Sequence, residues 1–478
     1  MDWGYIIHFG IISTALLAGA LLRARVGFLQ KYLIPASIIA GFFLLGFYNY
    51  VGPNFGLTSD FLGDLVYHLL NISFIAMMLR IPDPEQRRDK ISSRRTLGEN
   101  TIALLGQYGL QCTIGLLVTA ALIATVLPDL FPAIGFTLPL GFELGPGQAY
   151  SIASAWEPMG FVGGTSVGLA MAAIGFLVGS VGGVILINTG IRRGWVGEEQ
   201  LHTLRSRGVR TGFLPSGEHK PGASLTTDGE SIDSFTYHLA LVMMTYLISW
   251  GFLSGISRLL ALIGPLGVEL AGSLWGVNFI FSVFCATIVR MALTAAGVSH
   301  TIDNATCNRI NGLAVDLTVA SSLGAISITA VSGYWLPILV LSAAGIAITC
   351  LILPWYCSRL FHDHQFYRML MIFGTATGTL PTGLALLRVV DPEFETPVAE
   401  DFIYASGAMF FLAIPIILCI NLPAYSYTRN SPTLFWLAVG ISAIYLVGAF
   451  SGYLLLARRR AFSDASKFFY TKRRKISA

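Results

Sequence analysis

Charge is what this chain has least of. Asp, Glu, Lys and Arg make up only 12% of its 478 residues, where a soluble domain carries about 25%. That shortage excludes a soluble enzyme, a nucleic-acid binder and a disordered chain, each of which needs charge for solvation or for phosphate contact. The net charge of +4 is too small to point to a polyanionic partner. There is no Gly-x-x-x-x-Gly-Lys-[Ser/Thr] loop, so any work must draw on an ion gradient or a separate subunit. The first apolar run has no basic n-region and no Ala-x-Ala site, and is read as a span that stays. Cysteine is sparse. Cys112, Cys285, Cys307, Cys350, Cys357 and Cys419 lie in or beside apolar runs without metal-ligand spacing, and are read as small buried hydrophobes with free thiols.

Hydrophobic residues reach 54% instead, with a mean hydropathy of +0.68. A bilayer crossing needs about 20 apolar residues. Runs of that order occur at 5–23, 33–51, 62–80, 101–127 and 163–191, then at 236–263, 268–292, 307–330, 334–354, 400–424 and 433–456. The chain reads as an all-α polytopic membrane protein. Two further segments, 142–160 and 371–388, are apolar but rich in Gly, Pro, Ser and Thr.

Basic residues decide how those two run, because cytoplasmic loops are enriched in Lys and Arg. If both segments dip in and return, all 30 basic residues but Arg258 and Arg429 fall on one side. If either crossed, the bias would collapse, so both are read as re-entrant hairpins. The outcome is two inverted repeats of five transmembrane helices, 1–195 and 236–425, each with one hairpin. A cytoplasmic connector at 196–235 joins them, and 426–478 supplies an extra helix and a basic tail that touches anionic lipid. The N-terminus is expected outside and the C-terminus in the cytoplasm. Inverted repeats are common in secondary transporters, whose substrate sites form at the repeat interface.

The chemistry is expected at the hairpins. The first reads Glu143-Leu144-Gly145-Pro146-Gly147-Gln148-Ala149-Tyr150-Ser151, and the second Gly374-Thr375-Ala376-Thr377-Gly378-Thr379-Leu380-Pro381-Thr382-Gly383. Irregular backbone at membrane depth is tolerated only where it is buried or lines a wet cavity. Gly-rich packing between helices is the competing reading. Asp316 is a carboxylate near the centre of an otherwise apolar helix, a placement that costs several kcal/mol without a partner. It is read as a cation ligand, with a structural carboxylate as the alternative. Arg388 suits either a bidentate grip on a substrate carboxylate or a pair with Asp391. Glu143 is placed near the outer mouth, Glu157 at a helix end, and Asn304 and Asn308 at a helix start as caps. Gly164-Thr165-Ser166-Val167-Gly168 matches a nucleophile elbow but opens an apolar helix, and His362-Asp363-His364 reads as a solvated loop.

Three stretches resemble the sodium/glutamate symporter family: Lys31 to Gly41, Asp303 to Asp316, and Gly378 to Pro397. The resemblance covers about 5–425, and departs from the family where Gly145-Pro146-Gly147-Gln148-Ala149 stands in place of Gly-His-Gly-Thr-Gly. It implies sodium coupling, an elevator movement of a transport domain against a dimeric scaffold, and a bacterial inner membrane. On this reading the cation ligands are Asp316, Thr375, Thr377 and Gly145, and Gly147, Gln148, Ser151, Thr379, Thr382 and Arg388 hold the substrate. The expected activity is sodium-coupled symport of a small carboxylate such as glutamate, with no cofactor and no catalysis. Alternatives are a proton-coupled or uncoupled transporter, or a channel for another organic anion.

Overall fold

In a computed structural model, residues 3–81, 94–195, 210–214, 216–217, 222–391 and 396–469 are described. They form helices and no strand. Nine of the described helices are long and apolar enough to cross a bilayer, or ten if the bent pair 398–428 counts as one span. This is a multi-pass, all-α membrane protein.

The first stretch runs α1 (Gly4–Arg25), α2 (Ala36–Gly46), α3 (Asp60–Met78), α4 (Arg94–Thr125), a broken segment ending in α5 (Pro146–Trp156), and α6 (Gly164–Arg192). The second runs α7 (Ser234–Ala261), α8 (Pro265–Gly276), α9 (Asn278–Ala295), α10 (Asn304–Gly324) and α11 (Trp335–Leu360). It continues with a second broken segment made of α12 (Gln365–Thr375) and α13 (Leu380–Val390), then α14 (Val398–Leu418) and α15 (Leu422–Thr428). A final helix, α16 (Pro432–Ala457), lies along α4, where Gly109 meets the Leu446 backbone.

One expected helix is two. The run at 268–292 breaks at Val277, whose φ of −113° and ψ of 25° end α8 before α9 begins. Breaking a helix frees carbonyls that lipid cannot satisfy. Here Tyr67 donates to the Trp275 carbonyl at 2.9 Å, and Ser151 donates to that of Gly276. The break is therefore written by neighbouring helices, not by its own apolar sequence. Helix α10 lies outside the nine apolar spans: Asp303 caps its start by accepting from the Thr306 N–H at 2.7 Å, and Asn304 bonds both backbone groups of Ile81. The connector falls partly outside the described residues. Its later part is tied to α10, Ser224 N–H donating to Asp303 at 3.3 Å.

Two ends of the bundle are set by α6, which at 29 residues and 1.5 Å per residue is about 43 Å long. At its start, Phe131 stacks on Phe161 at 4.8 Å and Phe161 meets Tyr334 at 5.4 Å. Phe131 precedes the first broken segment and Phe161 follows it, so the two ends of that segment meet. At the other end, Trp195 stacks on Phe469 at 4.5 Å, and Phe469 meets Phe366 at 5.9 Å. There Arg368, in the first turn of α12, bonds Asp401, in the first turn of α14, at 2.8 Å. The start of the second broken segment is thus held to the start of the helix that follows it.

Candidate functional site at the crossing of two hairpins

Each hairpin tip is built by a short local instruction. In the first, Leu140–Leu144 winds as a π-helix and stops at Gly145, whose φ of +88° and ψ of 179° are open essentially to glycine alone. Pro146 then starts α5, its missing N–H costing nothing in a first turn. In the second, α12 ends at Thr375, and the extended Thr379 precedes α13, which again carries proline in its first turn.

The two tips touch. A Cβ built on Gly145 would lie 2.8 Å from Thr379 Cγ2 and 3.2 Å from the Gly378 carbonyl. Gly145 is the N-cap of α5 and Thr379 the N-cap of α13. Two helix N-termini thus converge inside an apolar bundle, each turning the positive end of its dipole toward the contact. Helix α6 allows the approach, since Gly175 lies against the Thr377 carbonyl (2.9 Å from a built Cβ) and Gly179 against its hydroxyl (2.7 Å). Small residues four apart let backbones come this close.

The polar groups around the crossing are short of partners. Glu143 is 6% exposed, and neither carboxylate oxygen has a hydrogen bond among the described residues. It lies within electrostatic range of Tyr108 and Cys112 on α4. On the same face of α4, Gln111 donates to the Ala376 carbonyl of the second tip at 3.4 Å, leaving its own oxygen unbonded. The Thr379 hydroxyl is likewise buried with no hydrogen bond among the described residues, and the Tyr108 hydroxyl has only the Cys112 thiol beside it. Glu143 is thus deep in the protein and two residues from the tip, not at an outer mouth. Its proximity to Gly145 in an apolar run was the available signal.

Of the other expected residues, Thr375 and Thr377 stand on the second hairpin and donate to the Met371 and Phe373 carbonyls at 2.9 and 2.7 Å. Their lone pairs remain for a ligand. The Thr382 hydroxyl lies against Gly378. Gln148 is buried in the first turn of α5. Gly147 and Ser151 turn to other helices, Gly147 against Leu70 and Ser151 onto Gly276.

Two residues are not brought to the tips. Arg388 is exposed, nine positions beyond Thr379 and so about 13 Å along α13. Asp316 is exposed on α10 beside Ser37 of α2. The buried face of α10, Val315 and Val319, packs on Phe176, and it is Phe176 that touches Gly378. Glu157 accepts from Thr165 N and Oγ1 at 3.1 and 2.7 Å, the end-of-helix role expected of it. Ser166 accepts from the Ser327 N–H inside a helical packing contact. The loop at His362 is less solvated than its sequence indicates: Glu99, His362 and Asp363 bring ligand-type atoms within 4.8 Å of one another, with Glu99 fully buried.

Comparison with family models, with curated proteins and with solved structures returns no match.

Proposed function

We propose that the chain is a secondary transporter of a small carboxylate, with glutamate or a related amino acid as the first candidate and sodium as coupling ion. One observation carries the reading: the N-caps of α5 and α13 lie in contact within the bundle. Converging helix N-termini form an anion site, and discontinuous helices at mid-membrane are how many transporters present one. The two hairpins are read as re-entrant, and 4–192 and 234–428, which share an element order, as inverted repeats.

Helices α1, α7 and α10 keep their buried apolar residues in clusters apart from the main core that holds both hairpins, α4, α6 and α11, while α3 and α9 reach into that core through Val66, Leu70 and Phe279. An elevator, with the hairpin body moving against the other helices, is proposed from the family resemblance. A homodimer is proposed from the family resemblance alone. Arg23, Arg80, Arg95, Arg192, Arg309, Arg359 and Arg368 stand at one end of the bundle, which is taken as cytoplasmic in a bacterial inner membrane. The N-terminus is then outside. Coupling requires that the cation favour the substrate-binding arrangement, and linkage makes that effect reciprocal.

Uptake of labelled glutamate and other small carboxylates into proteoliposomes, with and without an inward sodium gradient, tests this. Saturable uptake driven by the gradient is expected. Non-saturating conductance would replace the transporter with a channel, and uptake indifferent to sodium would remove the coupling.

A further inference from the structure

We propose that Glu143 is the charged ligand of a monovalent-cation site at the hairpin crossing, completed by neutral oxygens of Gln111, Tyr108 and the second tip. The inference rests on the transport reading for its purpose, but its observations are independent of any substrate. Glu143 is 6% exposed, Tyr108 1% and Gln111 fully buried. Glu143 Oε1 and Oε2, Gln111 Oε1 and Thr379 Oγ1 are all buried oxygens with no hydrogen bond among the described residues, and the Tyr108 hydroxyl has only the Cys112 thiol beside it.

An isolated carboxylate in such surroundings costs far more than folding can spare, so something neutralises it. Among the described residues no arginine or lysine is paired with it. The choice between a proton and a cation follows from the number of oxygens left over. One proton on Glu143 satisfies one acceptor and leaves the rest buried and unbonded. A hard cation takes several oxygen ligands at once, carboxylate, amide and hydroxyl alike. One carboxylate among neutral oxygens balances a single positive charge, which selects a monovalent ion.

The geometry also gives the ion a means of coupling. Tyr108, Gln111 and Cys112 are spaced three and four apart on α4, so they share one face. Gln111 is hydrogen-bonded to Ala376 of the second tip, while Glu143 is two residues from Gly145 of the first. An ion held between Glu143 and Gln111 would therefore tie the two tips to α4. The anion site at the N-caps would then be complete only with the ion present. Asp316, beside Ser37 of α2, lies outside this set of oxygens.

The test uses the full-length purified chain, titrated with sodium, potassium or choline chloride at constant ionic strength, with thermal unfolding as the readout. We expect a saturable rise in Tm with one alkali cation and none with choline. In Glu143→Gln that rise is lost while the cation-free Tm is kept, and in Asp316→Asn it persists. Should Glu143→Gln fail to fold, Gln111→Leu is expected to weaken the cation response. Three results would overturn the proposal: no cation-specific rise in the wild type, a rise unchanged in Glu143→Gln, or a Tm that tracks pH and not cation and loses that dependence in Glu143→Gln. The last would make the group a proton carrier. A cation response without carboxylate uptake in any gradient keeps the site and removes the transporter. Sodium-driven uptake that survives Glu143→Gln keeps the transporter and removes the site.

Discussion

Glu99 and Glu143 are both buried glutamates, and they sit in opposite circumstances. Glu99, at the end of the bundle where basic residues collect, accepts from Arg95 at 2.8 Å and from both the ring and the backbone N–H of His362, at 2.8 and 3.2 Å. Nearby, the fully buried Arg359 donates to the carbonyls of Trp355, Ser463, Asp464 and Lys467, stitching the chain after α16 to α11. Glu143, at the crossing, accepts from nothing described. Burial alone therefore says little about role. A carboxylate whose lone pairs are filled by the protein builds the structure, and one left empty in a dry setting is a place for something else.

That contrast can be broken by substitution, and the largest effects belong to the satisfied end. Arg368→Met would leave Asp401, 2% exposed, buried without its 2.8 Å partner, and should cost about 3–5 kcal/mol, read as a fall in Tm in detergent. Glu99→Gln keeps the shape but loses the charged hydrogen bonds to Arg95 and His362, for about 1.5–3 kcal/mol. Gly145→Ala forces a side chain into φ +88° against Thr379, a strain of about 1–3 kcal/mol, and should abolish uptake because the tips no longer close. Asp303→Ala removes the α10 cap for about 1 kcal/mol. Glu143→Gln should leave the cation-free stability within about 0.5 kcal/mol of wild type or raise it, because it removes a charge nothing holds. A large loss of stability there would erase the distinction between the two glutamates.

Acid sharpens the same comparison. Burial pushes the Asp363 carboxyl up, but the Arg368 hydrogen bond and charge, with His362 and His364, outweigh it and hold the group below the ordinary carboxylate range. A depressed folded value means that the unfolded chain takes up the proton first as pH falls. The stabilisation from Asp363 is whole at neutral pH and is lost as pH drops from about 4 through the lower folded value. Thermal melts in acid should show that loss in the wild type and a smaller one in Asp363→Asn.

Much of the architecture was legible in the residues. Composition gave the membrane class, run length gave the spans, and Gly145-Pro146 and Gly378 to Pro381 marked where two segments break. The break at Val277 was not legible, since the hydroxyls of Tyr67 and Ser151 that stabilise it lie far off in sequence. Among the carboxylates, Asp316 is conspicuous in the sequence because its helix is otherwise apolar, whereas Glu143, two residues before Gly145, reads as a charge near the outer mouth.

The sequence by itself determined depth: a charge within an apolar run lies in the bundle, and a glycine followed by proline interrupts it. Which way each helix is turned was decided only by tertiary packing. Rotation depends on the fit of every neighbour at once, so α10 turns Val319 to Phe176 and leaves Asp316 beside Ser37, while the π-turn before Gly145 carries Glu143 inward toward α4.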